Sequence, residues 1–245
     1  MGGLAHYIEE EGLATTQISL IREHTERIKP PRALWVPFDL GRPLGEPNDA
    51  DFQTRVLTAA FALLDEKEGP VLIDFPEDAA YMGDHGPWAC PVNLSAPEVD
   101  LSVEDKLIEA FKTEFSQLRN WYDLAVETRG RTTVGVSGIE LDDLAEFISA
   151  FLTDELPENP SSDFPLPHTL NLATDDLKAF YSEAVTAQPG KTGTPEQIAD
   201  WFYGQTAAGR LLYAIRNKGF QSDDGFMKIV SAALIIPAAK PQPPA

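Results

Sequence analysis

Apolar positions in the first third of the chain switch between two periods. Residues 4–11 carry a short helical pattern, and Gly12 stands where a helix C-terminal glycine belongs. Residues 14–20 (Ala-Thr-Thr-Gln-Ile-Ser-Leu) are β-branched and predict a strand. A charged helix over 21–28 follows, stopped by Pro30 and Pro31, and then a second apolar strand over 33–38. After a loop, Asn48 is the expected cap of a helix with Asp49 and Asp51 in its first turn; Phe52, Val56, Ala60, Leu63 and Leu64 recur on one face. Alternating units of this size predict a partial parallel α/β sheet, a Rossmann-like half.

Beyond Pro97 the period is helical throughout. Ser102 and Asp105 give a capping signal for a helix carrying Leu107, Phe111, Phe115, Leu118 and Tyr122. Residues 129–136 read as a short extended piece, and further helices are expected over 141–152, 175–186, 194–218 and 223–235. Thr194, Pro195 and Gln197 occupy the N-cap, N1 and N3 positions of the third of these. The expected organisation is an α/β segment over 1–78, a Pro/Gly-rich linker over 79–100, an all-α domain of about five helices over 101–237, and a tail over 238–245.

Composition narrows the function classes. The 245 residues carry a net charge of −20, which repels phosphate backbones and anionic lipid, so neither nucleic acid nor membrane is an expected partner. No stretch approaches the roughly 18 apolar residues of a membrane span. The single cysteine, Cys90, allows no internal disulfide and fits a reducing, cytoplasmic setting; no cofactor is expected.

The sharpest local feature is the run 37–47, Pro-Phe-Asp-Leu-Gly-Arg-Pro-Leu-Gly-Glu-Pro. It follows a strand and precedes a helix, which in a parallel sheet is the carboxyl edge, where ligands bind. Gly41 and Gly45 permit tight turns, and Arg42 offers a planar fork for a carboxylate. Spacing alone equally describes a rigid connection built from three prolines and two glycines. Other candidates are Cys90 with His85 as a nucleophilic pair, and His6, His24 and Glu23 as metal ligands, against structural readings of each. Arg129 and Arg131 are an anion pair or plain surface charge. Trp201, Phe202 and Tyr203 read as core.

Three stretches carry a family resemblance. The run Leu4-Ala5-His6-Tyr7-Ile8-Glu9-Glu10-Glu11-Gly12-Leu13-Ala14-Thr15-Thr16, the loop 37–47 and the helix 52–64 resemble the C-terminal segment of the selenoprotein B family. That family is the substrate-activating subunit of glycine, sarcosine, betaine and D-proline reductases. The resemblance covers about residues 2–78 and implies an oxidoreductase component that holds a small carboxylate-bearing substrate at the Arg42 loop. It also implies a selenocysteine or cysteine cluster just upstream of this segment, which residues 2–78 do not contain. The redox residue is then expected either on a protein partner or before a methionine that follows a selenocysteine stop codon. The isolated chain is not expected to turn over. The rival expectations are a non-catalytic partner-binding or assembly protein and, third, a hydrolase or metal enzyme using His6, His24, Glu23 or Cys90.

Overall fold

A computed structural model describes residues 2–79, 88, 103–153, 155–188, 193–237 and 240. The chain divides into two compact units, Met1–Met82 and Gly83–Ala245.

In the first unit the elements run α1 (Gly2–Glu10), β1 (Gln17–Ser19), α2 (Arg22–Ile28), β2 (Arg32–Trp35), α3 (Ala50–Ala62) and β3 (Val71–Asp74). The strands form one parallel sheet in the order β1-β2-β3, with Ile18 opposite Leu34 and Leu34 opposite Ile73. The expected parallel α/β character is therefore present. The third strand is not among the predicted elements, although it falls inside the expected 1–78 segment: Val71-Leu72-Ile73 is apolar and partly β-branched, a short run between Pro70 and Pro76.

Side-chain alternation divides the sheet. Leu34, Val36 and Phe75 lie in one cluster with Phe52, Val56 and Ala60 of α3. The opposite side carries Ser19, whose hydroxyl meets that of Thr25 on α2. Gly12 ends α1 with φ +86°, the left-handed conformation that a side chain would strain. A staple then ties α1 to β2. Glu9 accepts from the Thr15 amide and hydroxyl, both at 2.7 Å, and from Arg32 Nη1 at 2.6 Å; the same guanidinium donates twice to the Glu66 carbonyl. Partial burial opposes ionisation of Glu9, yet the Thr15 and Arg32 donors outweigh it and hold the carboxyl below its ordinary value.

The second unit is helical, as expected from the pattern, with α4 (Glu104–Arg129), α5 (Leu141–Ser149), α6 (Leu166–Thr186), α7 (Pro195–Gln205), α8 (Ala207–Phe220) and α9 (Gly225–Ala233) among the described residues. Helix α6 is the axis: Leu170, Ala173, Leu177, Phe180 and Ala184 are fully buried at three- and four-residue spacing. Phe180 stacks on Phe115 of α4 with ring centroids 4.2 Å apart.

Several boundaries differ from expectation, each for a physical reason. Helix α6 begins nine residues before 175, because Pro167 falls in its first turn, where a missing N–H costs nothing. The helix expected over 194–218 is two. Its start is the expected capping box, with the Thr194 hydroxyl accepting from Gln197 N and the Gln197 side chain returning to Thr194 N. Thr206 breaks it by donating to the Phe202 carbonyl at 2.6 Å while accepting from Gly209 N at 2.9 Å, so one hydroxyl closes α7 and caps α8. The extended piece expected over 129–136 does not form. α4 runs through Arg129, Gly130 ends it at φ +65°, and the following residues are an irregular loop. Ser102 lies outside the described residues, and Val103, the residue before α4, supplies no side-chain cap.

Candidate functional site

The loop 37–49 leaves the carboxyl end of β2, whose neighbour Val36 donates its N–H to Ser19 O at 2.9 Å. Two consecutive turns shape it: Arg42 N bonds to Asp39 O, and Gly45 N bonds to Arg42 O, both at 3.0 Å. Gly41 and Gly45 both have left-handed backbones, with φ +90° and +82°. The floor of the loop is a triangle of rings, Phe38, Phe52 and Phe75, with centroids 5.4 to 6.0 Å apart. Helix α3 starts one residue later than the sequence suggests. Asn48 takes φ +66° as a turn residue, and Asp49 is the cap, accepting from Phe52 N at 3.0 Å.

The two glycines do different work, and substitution separates them. A Cβ at Gly41 meets nothing within 4 Å, so Gly41→Ala carries only backbone strain, about 1 kcal/mol. A Cβ at Gly45 would stand 2.6 Å from the Phe52 ring, which is itself locked between Phe38 and Phe75. Gly45→Ala is expected to cost about 3 kcal/mol, the strain plus the overpacking. Urea denaturation of the two variants checks the ordering; equal losses would mean that Phe52 yields freely.

Charge at this edge is paired within the chain. Arg42 Nη1 donates to Glu46 Oε1 at 2.6 Å, and the Glu46 carbonyl accepts from Gln53 Nε2 of α3 at 2.8 Å. The Arg42 side chain is 37% exposed and that of Glu46 16%. Arg22, at the start of α2, reaches Asp74 at the end of β3 at 3.1 Å and also meets Glu26. Arg55 pairs with Glu77 at 2.8 Å and lies over the Phe52 ring.

Compared with models of known protein families, with curated proteins and with solved structures, the chain matches none.

The other candidate residues do not assemble. His6 is exposed and its Nε2 lies 3.3 Å from Ile28 O; Glu23 and His24 are exposed on α2. Among the described residues no three His, Cys, Asp or Glu side chains converge as a metal site, His6, His24 and Glu23 included. Cys90 and His85 lie outside the described residues. Arg129 donates to the Thr186 hydroxyl at 2.5 Å, and Arg131 is exposed. Trp201, Phe202 and Tyr203 are buried, as a core reading requires. A shallow groove on the outward side of α4, between Asp105 and Gln117, contains none of the candidates. Among the described residues no helix is long and apolar enough to cross a membrane.

Sequence reasoning missed the buried carboxylates of the second unit. Glu114 of α4 accepts from Tyr181 OH at 2.7 Å and from the Ala207 and Ala208 amides at 2.9 and 3.1 Å. Burial pushes its carboxyl above the ordinary value, against those three donors, and burial also raises the Tyr181 hydroxyl far above its own. Asp176 of α6 is fully buried and accepts from Gly135 N, Val136 N, Ser137 N and the Ser137 hydroxyl. Glu183, two turns on, accepts from the Thr133 amide and hydroxyl. All three acids meet backbone amides from distant parts of the chain, and no local motif announces such pairings.

Proposed function

We propose that residues 2–78 are a Rossmann-like ligand-binding half related to the substrate-activating subunit of glycine, sarcosine, betaine and D-proline reductases. In this reading Arg42 holds the carboxylate of a small substrate. The observation that carries it is the placement of Arg42, its side chain 37% exposed, on a two-glycine loop after a parallel strand and before a capped helix. Ligands of parallel α/β sheets gather at that edge. The unit contains no cysteine, so it supplies binding and orientation, and the reducing thiol or selenol comes from another segment or a partner protein. Turnover by the isolated chain is not expected.

Arg42→Lys tests the reading. An ammonium cannot reproduce the two parallel hydrogen bonds of a guanidinium with a carboxylate, so affinity for betaine or glycine is expected to fall about tenfold to a hundredfold. Calorimetric titration and a thermal melt measured together separate the outcomes. Lost stability at unchanged affinity would reduce Arg42 to a loop brace.

A second reading, a non-catalytic docking module, draws on α1, where Leu4 and Tyr7 stand 57% and 68% exposed one turn apart. Absence of any carboxylate binding to the wild-type chain would favour it.

A further inference from the structure

We infer that the loop 153–165 and the helices α8 and α9 form a self-association surface, on which a second copy of this chain docks across a two-fold axis.

Hydrogen bonds and close packing hold these segments together. Lys218, in the last turn of α8, donates to the Leu152 and Thr153 carbonyls at 3.0 and 2.6 Å, which ties the start of the loop to α8. Gly219 of α8 lies against Ser231 of α9, where a Cβ would overlap the Ser231 hydroxyl. Asn159 fixes the far part of the loop: its Nδ2 donates to Phe164 O at 2.7 Å, and its Oδ1 accepts from the Thr169 hydroxyl of α6 at 2.9 Å. Large apolar side chains stand outward from this frame. Leu156 and Phe164 come from the loop, Phe220 from the end of α8, and Phe226 and Ile229 from α9; Leu156 and Ile229 are 59% and 60% exposed. Exposed apolar residues scattered singly are ordinary, but several on adjoining ordered segments mark an interaction surface. The frame is already fixed, so docking on it costs little ordering entropy.

Charge selects the occupant. The loop carries four acids, Glu158 among them, and no basic residue. Helices α8 and α9 carry four bases, Lys228 among them, and no acid; Asp223 and Asp224 lie in the turn between them. An anionic surface would meet the acidic loop beside the basic helices, and a polycation would meet the reverse. A second copy satisfies both halves. A two-fold contact sets each residue of a pair on its opposite number twice, so the acidic loop of each copy lies on the basic helices of the other. The net charge of −20 repels at long range, but at physiological salt that repulsion is screened beyond about 8 Å, and the local charges decide the contact. A patch of this extent lies at the low end of specific interfaces, so the expected dimer is weak, with Kd about 10–100 μM.

The test is sedimentation equilibrium of the full chain over concentrations spanning that range. The wild type is expected to shift from monomer to dimer. Ile229→Gln, which removes an apolar contact made twice in the dimer, is expected to raise Kd about tenfold. Glu158→Lys and Lys228→Glu each set like charges opposite one another at both contacts and are expected to weaken the homodimer by about tenfold. An equimolar mixture of those two variants restores opposite charges at both contacts, so association is expected to return towards the wild-type level. All three positions are exposed, and thermal melts are expected to match the wild type. A chain that stays monomeric throughout would overturn the inference, as would a dimer indifferent to Ile229→Gln. Failure of the mixture to recover would sink the two-fold pairing of loop and helices. A monomeric chain that sediments with vesicles of phosphatidylcholine and phosphatidylserine would replace the second copy with a lipid surface.

Discussion

Replacing Glu114 with alanine is expected to cost the helical unit about 4 kcal/mol, seen as an earlier loss of helix in urea. The side chain joins three helices: it grows from α4, receives Tyr181 OH from α6, and takes the first amides of α8. Alanine leaves those three buried donors without an acceptor, and each orphan costs about 1–3 kcal/mol; relief of the buried charge returns part of that. The pH dependence has a definite sign. Burial raises the native carboxyl above its ordinary value, so the folded protein holds the proton more tightly than the unfolded chain. Stability from this group is full below the ordinary carboxylate range and declines as pH rises through the native value. The variant lacks that slope. The gap between wild type and Glu114→Ala should therefore narrow from pH 4 towards pH 7. A gap that widens with pH would show that the three donors, not burial, dominate the carboxyl.

Asp176→Asn is expected to cost about 3 kcal/mol and to free the loop 131–139 before the rest of the unit. Oδ1 accepts from Gly135 N and Val136 N, and Oδ2 from Ser137 N and its hydroxyl at 2.9 and 2.5 Å. An amide keeps one oxygen but turns its NH2 towards a second set of donors, and hydrogen bonds to a charged acceptor are worth about 1.5–3 kcal/mol each. Hydrogen exchange reads this directly: the Gly135, Val136 and Ser137 amides should exchange faster, while the amides of mid-α6 lose only the global change. Uniform acceleration would mean that the loop has no stability of its own.

What the sequence revealed divides along locality. The capping box at Thr194 and Gln197 lies within four residues, and its pattern is visible without a fold. Gly12 and the helical stripe of α3 are legible for the same reason. The break at Thr206 is not. Its neighbours Ala207 and Ala208 are good helix formers, and the acceptor that pulls their amides out of a continuous helix sits on Glu114, more than ninety residues earlier. β3 is only four residues long and escapes a reading by periodicity, and Pro167 delayed the expected start of α6. In the candidate site the glycine turns and the strand-to-helix setting of Arg42 follow from the sequence. The Glu46 contact does not, because i to i+4 pairing is a helical rule and here it closes a loop.

The way Asp176 and Glu183 hold the loop 131–139 also shapes how the protein can drift. Most of what they grip is main chain: the amides of Thr133, Gly135, Val136 and Ser137. Every residue type except proline carries such an amide. Val136 points its side chain to solvent, 56% exposed, so its identity is free to wander while its N–H is retained. The burden of selection thus falls on two acids in the middle of a helix, far along the chain from the segment they shape. A lineage of such proteins would show an interior fixed at 176 and 183, glycine kept at 135 and 138 where the backbone is left-handed, and a side chain at 136 that changes readily but is never proline.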